Sequence, residues 1–207
     1  MVTLCGQNGF GYTKMKRDVA PPTNRIGNLG RIKLSVPDWC CFPKLGEPSR
    51  YYHILKTLGI DGVEMVDPSR YKAARAAGLE IINVAGPGKI QGLNHREHHT
   101  ELLPQIRETI QQAQTQRIPL VIIFSGNRQG ASDRDGFENC RRGIEALIPD
   151  AEKARVLLGF EMFNVFDHPD YQADHGSFGF ELVRAVDSPW LKLLYDIYHM
   201  ERMGDNI

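Results

Sequence analysis

Nowhere in this 207-residue chain does an apolar run approach the about 18 residues that a membrane-spanning helix needs. Charge of one sign is not in excess either, since Lys and Arg number 25 and so do Asp and Glu. Domains that grip nucleic acid through bulk charge are usually basic, so that class is set aside, as is a membrane partner. The first thirty residues lack the apolar stretch of a secretory signal, and their Gly, Pro and Asn content reads as a flexible leader over 1–30. The expected location is the cytoplasm. Four cysteines (Cys5, Cys40, Cys41 and Cys140) show no CxxC spacing, and adjacent Cys40 and Cys41 are a poor start for a disulfide framework. Free thiols in a reducing compartment are expected. No G-x-G-x-x-G follows a strand, and "GPGKIQG" lacks the G-K-[ST] ending of a phosphate-binding loop.

What the chain does have is alternation. Strand-like runs occur at "RIKLSVPDWCCF", "DGVEMVDP", "EIINVAG", "PLVIIFSG", "VLLGFEMFN" and "WLKLLYDIYHM". Between them lie helical patterns in "PSRYYHILKTLGI", "SRYKAARAAGL", "NHREHHTELLPQIRETIQQAQTQRI", "ENCRRGIEALIPDAEKAR" (interrupted near Pro149) and "FGFELVRAVDSP". In the third helix Pro104 marks either a kink or the true first turn. Six strands alternating with five helices mean a parallel sheet with crossover helices, and the nearly unbroken apolar strands mean that both faces are covered. That leaves a doubly wound open sheet or a (β/α)8 barrel. Polar residues gather after strand upon strand: Asp38, Glu64, Asp67, Asn83, Ser125, Asn127, Arg128, Glu161, Asn164, Asp196 and His199. A TIM barrel brings all these ends to one mouth, so the expectation is an α/β (β/α)8 barrel over residues 31–207.

Two carboxylates stand out because each interrupts an apolar strand. Alternation puts Glu161 on the face of Gly159 and Phe163, and Asp196 on the face of Leu194 and Tyr198. If those faces point inward, adjacent strands present two carboxylates at one rim, which repel unless a proton or cation sits between them. Such an oxygen-rich pair suits Mg2+ or Mn2+. The bland alternative is that Asp196 caps a helix or meets water where the strand ends. His199 reaches the same pocket only if the strand ends near Ile197 and the chain turns.

Other residues fit chemistry less sharply. His95 and His99 are four apart and could share a helix face as metal ligands, or with His98 they line the pocket or meet solvent. Arg128 in "SGNRQG" lies at the mouth, where it could meet a substrate carboxylate or serve as a surface charge. Lys192 lies earlier on its strand than Asp196 and reads as a bottom-rim or ion-pairing residue.

"GFEMFNVFDHPDY", "SPWLKLLYDIYHM", "GPGKIQGLNHREHH" and "IIFSGNRQGASDRDGFENC" resemble the xylose-isomerase-like TIM-barrel superfamily, and within it most closely the hydroxypyruvate isomerase family. The likeness runs from about Arg31 to Asn206. It implies a divalent metal held by one side chain from each of the last four strands, with Glu161 the ligand from the fifth and Asp196 from the sixth. Glu161 would also be one of two glutamates that move a proton between adjacent carbons. His199 matches a histidine that contacts substrate oxygens, Asp167 an acidic position near substrate, and Asn164 and Arg128 are further substrate-binding candidates. The implied reaction is metal-dependent aldose–ketose isomerisation of a small hydroxy-carbonyl compound, with hydroxypyruvate going to tartronate semialdehyde through an enediolate.

Predicted strands begin on average about every 32 residues, so two further strand–helix units would need roughly 60 to 80 residues to reach the about 250 typical of the fold. The expectation is therefore a barrel with six of its eight units, short of two metal ligands and one glutamate. Weak metal binding and little turnover by this chain alone are expected to follow. A ketose 3-epimerase is the second enzyme reading, and a non-catalytic barrel fragment that self-associates or pairs with another chain is the third.

Overall fold

The computed structural model describes residues 33–205, so the expected leader over 1–30 and Cys5 lie outside the described residues. The chain divides between Glu80 and Ile81 into two compact units. Apart from Ile81, the first holds the three-stranded sheet of β1 (Ser35–Pro37), β2 (Gly62–Glu64) and β3 (Glu80–Ile81), in that order. β1 and β2 run parallel, with Val36 opposite Val63. In the second, β4 (Asn83–Ala85), β5 (Leu120–Phe124), β6 (Leu157–Glu161) and β7 (Leu191–Leu194) form a four-stranded parallel sheet, also in chain order. Among the described residues no helix is long and apolar enough to cross a membrane.

Three local differences from the sequence reading have physical causes. "EIINVAG", expected as one strand, breaks at Ile82, so β3 and β4 fall in different sheets. "RIKLSVPDWCCF", expected as a strand throughout, turns helical after Pro37 to form α1 (Asp38–Leu45). Asp38 drives that turn. Fully buried, it takes hydrogen bonds from Arg70 Nε at 3.0 Å, Arg70 Nη2 at 2.5 Å and Tyr52 Oη at 2.9 Å. Partners on α2 (Pro48–Thr57) and beside α3 (Tyr71–Ala76) thus override the local β-preference of Trp39 and Phe42. The third difference, the end of the last strand, shapes the site and is described below.

The helices of the second unit follow their sequence signals more closely. α4 (His99–Thr115) runs through Pro104 as one element and buries Leu102, Ile106, Ile110 and Ala113 at helical spacing, so Pro104 is not its first turn. α5 (Asp133–Glu145) starts at a reciprocal cap: Ser132 Oγ accepts from the Asp135 backbone N–H and donates to the Asp135 carboxylate. The expected interruption near Pro149 is the start of α6 (Ile148–Ala154), where proline occupies the first turn. α7 (Gly176–Val186) packs its Gly179 against Met162 and Leu193, leaving no room for a Cβ. Cys41 and Cys140 are free thiols, and burial pushes the Cys140 thiol far up.

Candidate active site

The site lies at the C-terminal ends of β4 to β7, within the second unit. Phe160 faces α7, its ring stacked 6.2 Å from Phe178, so alternation puts Glu161 on the opposite face of β6. Glu161 is half-buried and pairs across the ladder with Phe124 on β5 and Leu194 on β7. Tyr171 ties two of these strand ends together: its hydroxyl accepts from the Ser125 N–H and donates to the Glu161 carbonyl, each at 3.1 Å.

β7 stops at Leu194, and the chain turns into α8 (Ile197–Arg202). Asp196 is therefore not on a strand face with Tyr198, as the sequence led us to expect, but is the N-cap of α8. Its Oδ1 accepts from the N–H groups of Tyr198 at 2.8 Å and His199 at 3.4 Å. The cost of burying this carboxylate, which is 8% exposed, is partly offset by those two donors, yet desolvation still raises its pKa. Capping leaves Oδ2 pointing to the ring of His199, whose Nε2 is 3.9 Å away.

The turn brings His199 to the mouth, where Asn164 receives it. Asn164 Oδ1 accepts from the backbone N–H groups of Phe166 and Asp167, which fixes the amide with its Nδ2 toward His199 Nδ1 at 2.6 Å and Asp167 Oδ2 at 3.0 Å. The Asn164 backbone N–H meets the same Nδ1 at 3.3 Å. Both approaching groups are donors, so Nδ1 accepts and the ring proton sits on Nε2, on the Asp196 side. Burial lowers the His199 pKa to about 4; Asp167 opposes the shift, while Lys89 and Arg202 add to it. His199 is thus a neutral imidazole near pH 7.

Asp167 is more exposed. Hydrogen bonds from Tyr198 Oη at 2.5 Å and from Asn164 hold its carboxyl below the usual range, with Arg202 Nη1 3.9 Å away. Arg128 goes elsewhere. Its guanidinium contacts the Asp133 carboxylate, Asp174 Oδ2 at 3.1 Å and the Gln172 carbonyl at 3.2 Å. Burial works against its charge, but hydrogen bonds to Asp133 and Asp174 outweigh that and raise its pKa. Arg128 therefore joins the loop after β5 to the loop after β6.

The three histidines of "NHREHH" prove to be loop staples rather than a metal cluster. Each imidazole donates to a backbone carbonyl: His95 to Arg128 at 2.8 Å, His98 to Gly92 at 3.3 Å, and His99 to Leu93 at 2.9 Å. Two residues that the sequence did not single out stand at the mouth instead. His168 stacks on Phe163 with ring centres 4.3 Å apart and lies 5.3 Å from the His199 ring. Burial first, then Lys89 and His199, lower its pKa to about 4. Lys89 places its ammonium 4.8 Å from the centre of the Phe163 ring. Only the position of "DHPDY" just after Glu161 could have pointed to His168, and nothing in "GPGK" marks its lysine.

Chemically, Glu161 and Asp196 supply hard carboxylate oxygens of the kind that Mg2+ or Mn2+ takes, but such ions want about six oxygen ligands. Asp196 commits one oxygen to α8, and among the described residues no group of three His, Cys, Asp or Glu side chains is arranged to hold a metal ion. The donor chemistry fits a divalent ion, while the number of donors gathered here is short of a full set.

Solved structures share this architecture. An AP endonuclease of family 2 from Brucella melitensis superposes with a TM-score of 0.69 at 14% identity, covering 85% of this chain and 73% of that one. D-psicose 3-epimerase from Clostridium cellulolyticum H10, solved with D-tagatose, gives 0.67 at 16% identity over 85% and 67%. The IolI protein, solved with a zinc atom, gives 0.68 at 14% identity over 84% and 66%. No curated protein sequence matches significantly. At such identities the structures establish the fold, a xylose isomerase-like TIM barrel. The sequence model of that family matches residues 52–207, well over half of the chain. The strand-end chemistry thus sits on a known scaffold, and the chain belongs to the xylose isomerase-like TIM barrel family.

Proposed function

We propose that this chain carries the chemistry of a metal-dependent aldose–ketose isomerase acting on a short hydroxy-carbonyl compound, with hydroxypyruvate to tartronate semialdehyde as the reference reaction. The observation that carries the reading is the convergence of Glu161, Asp196 and a neutral, tautomer-fixed His199 at neighbouring strand ends. The zinc atom in IolI supports a metal in this fold, and Glu161 and Asp196 are the residues that would hold one here. A bound Mg2+ or Mn2+ supplies polarisation of the substrate carbonyl and hydroxyl.

The chain's own residues have distinct tasks in this reading. Glu161 removes the proton from C3 of hydroxypyruvate and returns it to C2, while the hydroxyl proton moves between the two oxygens of the enediolate. His199, with its proton on Nε2, donates a hydrogen bond to the oxygen that gains charge. Asn164 holds that imidazole, and Asp167 is kept ionised beside it by Tyr198. Phe163 and His168 form an aromatic wall that limits water at the reacting carbons.

A ketose 3-epimerase moves a proton with similar chemistry on a longer sugar. The likeness of fold to D-psicose 3-epimerase from Clostridium cellulolyticum H10 supports keeping that reading. The test offers hydroxypyruvate and D-fructose side by side in D2O with Mn2+. Proton exchange reads the first chemical step even where net turnover is slow. Deuterium entering hydroxypyruvate faster with the wild type than with Glu161→Gln supports the isomerase. Glu161-dependent exchange at C3 of the ketose alone favours the epimerase, and equal exchange by both proteins contradicts both enzymes.

A further inference from the structure

Of the cations around this mouth, Lys89 alone lacks a carboxylate among the described residues. Arg128 is committed to Asp133 and Asp174, and Arg202 lies by Asp167 and the Tyr198 hydroxyl. Lys89 Nζ instead rests over the Phe163 ring, a contact that orients an ammonium without neutralising it. The same aromatic cluster holds His199, whose ring centre is 4.8 Å from that of Phe163. The unpaired charge thus stands a short carbon chain away from the proposed reacting centre.

The loop carrying Lys89 is pinned rather than loose. Gly86 N–H donates to the Ile122 carbonyl at 2.8 Å, Asn127 N–H to the Ile90 carbonyl at 2.8 Å, and Leu93 N–H to the Phe124 carbonyl at 3.3 Å. A Cβ on Gly86 would come within 2.9 Å of the Ile122 oxygen, and Gly88 turns the chain at φ +102 over Leu102. Lys89 also lines the cleft whose far wall carries His98, Glu101 and Gln105 on and before α4. Glu101 forms no ion pair with it among the described residues. An exposed lysine on a pinned loop, without a carboxylate partner among the described residues and at the rim of an open cleft, is a site for an anion brought by a ligand.

We propose that Lys89 binds the carboxylate of the substrate, so that this site selects short hydroxy-oxo acids over neutral sugars. The assignment rests on the isomerase reading for the location of the reacting centre, and it moves the carboxylate-binding role that the sequence offered to Arg128. A carboxylate on Lys89 directs the adjoining carbonyl and hydroxyl carbons toward His199 and Glu161. Neutral substrates leave the ammonium without a partner anion.

The experiment is calorimetric titration of the whole chain with D-glycerate, a three-carbon hydroxy acid that has no carbonyl to isomerise, and with glycerol as its neutral counterpart. Wild type, Lys89→Met and Lys89→Arg are compared, with far-ultraviolet circular dichroism checking that each is folded. We expect glycerate to bind the wild type and Lys89→Arg, and its affinity to fall about tenfold or more in Lys89→Met, the order for losing one charge-assisted hydrogen bond. Glycerol should bind all three proteins equally weakly. Glycerate binding that is undetectable in the wild type, or unchanged by Lys89→Met, overturns the proposal. Lys89-dependent glycerate binding without Glu161-dependent proton exchange leaves the carboxylate site standing and removes the isomerase; the reverse pair of results does the opposite.

Discussion

Asn164 offers two hydrogen-bond donors to one atom of His199: side-chain Nδ2 stands 2.6 Å and the backbone N 3.3 Å from Nδ1. Because Asn164 Oδ1 is occupied by the N–H groups of Phe166 and Asp167, the amide cannot flip without losing both. We expect 15N spectra of the wild type at neutral pH to show His199 protonated at Nε2. Asn164→Leu should release that preference and destabilise the chain by about 1–3 kcal/mol, the cost of stranding buried donors and acceptors. Asn164→Asp presents a carboxylate that favours an N–H at Nδ1, so the tautomer should reverse. An Nδ1-protonated ring in the wild type would contradict this arrangement.

Asp196 has a structural and a chemical task, and substitutions separate them. Asparagine keeps an oxygen for the Tyr198 and His199 N–H groups but removes the charge, so Asp196→Asn should stay near wild-type stability. Asp196→Ala loses the cap and should cost about 0.5–2 kcal/mol. Both should abolish Glu161-dependent deuterium exchange. Exchange surviving in Asp196→Asn would leave this residue as a cap and nothing more, as read by urea unfolding beside the exchange assay.

Stability should fall on mild acidification. An unfolded histidine titrates near 6.5, whereas His168 and His199 in the folded chain titrate at about 4, chiefly because they are buried. Between those values the unfolded state holds more protons, so the stability present above pH 6.5 declines as pH drops toward 4. Asp196 acts in the opposite sense, because its raised pKa makes its contribution decline as pH rises through the carboxylate range. The urea midpoint at pH 5 should lie below that at pH 7. His168→Gln and His199→Gln should each flatten the difference, and identical slopes in all three proteins would refute the assignment.

In the first unit, the Asp38–Arg70 pair is the element most exposed to single substitutions. Asp38 is fully buried, and its partner covers the Phe42 ring at 4.2 Å. Arg70→Met leaves an uncompensated buried carboxylate and should cost about 3–5 kcal/mol. Restoring neutrality with Asp38→Asn in the same chain should recover part of that loss, as measured by thermal unfolding. No recovery in the double variant would mean that packing of the guanidinium, not charge, is what matters there.

Much of the architecture was legible in the sequence. Periodicity located the parallel strands, placed Glu161 at the end of one of them, and found the break at Pro149, because those signals are local. The end of β7 was not legible. "LLYDIYHM" is apolar on both sides of Asp196, and periodicity does not distinguish a strand that stops at Leu194 from one that continues. The bland reading of Asp196 as a helix cap and the site reading of its pairing with His199 turn out to describe one geometry. The partners of Arg128 lie as far away as Asp174, 46 residues along the chain, and the free ammonium of Lys89 emerges only once Phe163 is beneath it. Both depend on tertiary structure, which no short window of sequence contains.

Whether Glu161 and Asp196 act together on one divalent ion is decided by Mn2+ binding followed by electron paramagnetic resonance. One weak site is expected in the wild type, tightened by hydroxypyruvate and lost in both Glu161→Gln and Asp196→Asn. An Mn2+ site that survives unchanged in the two variants would place the metal elsewhere and remove both carboxylates as its ligands.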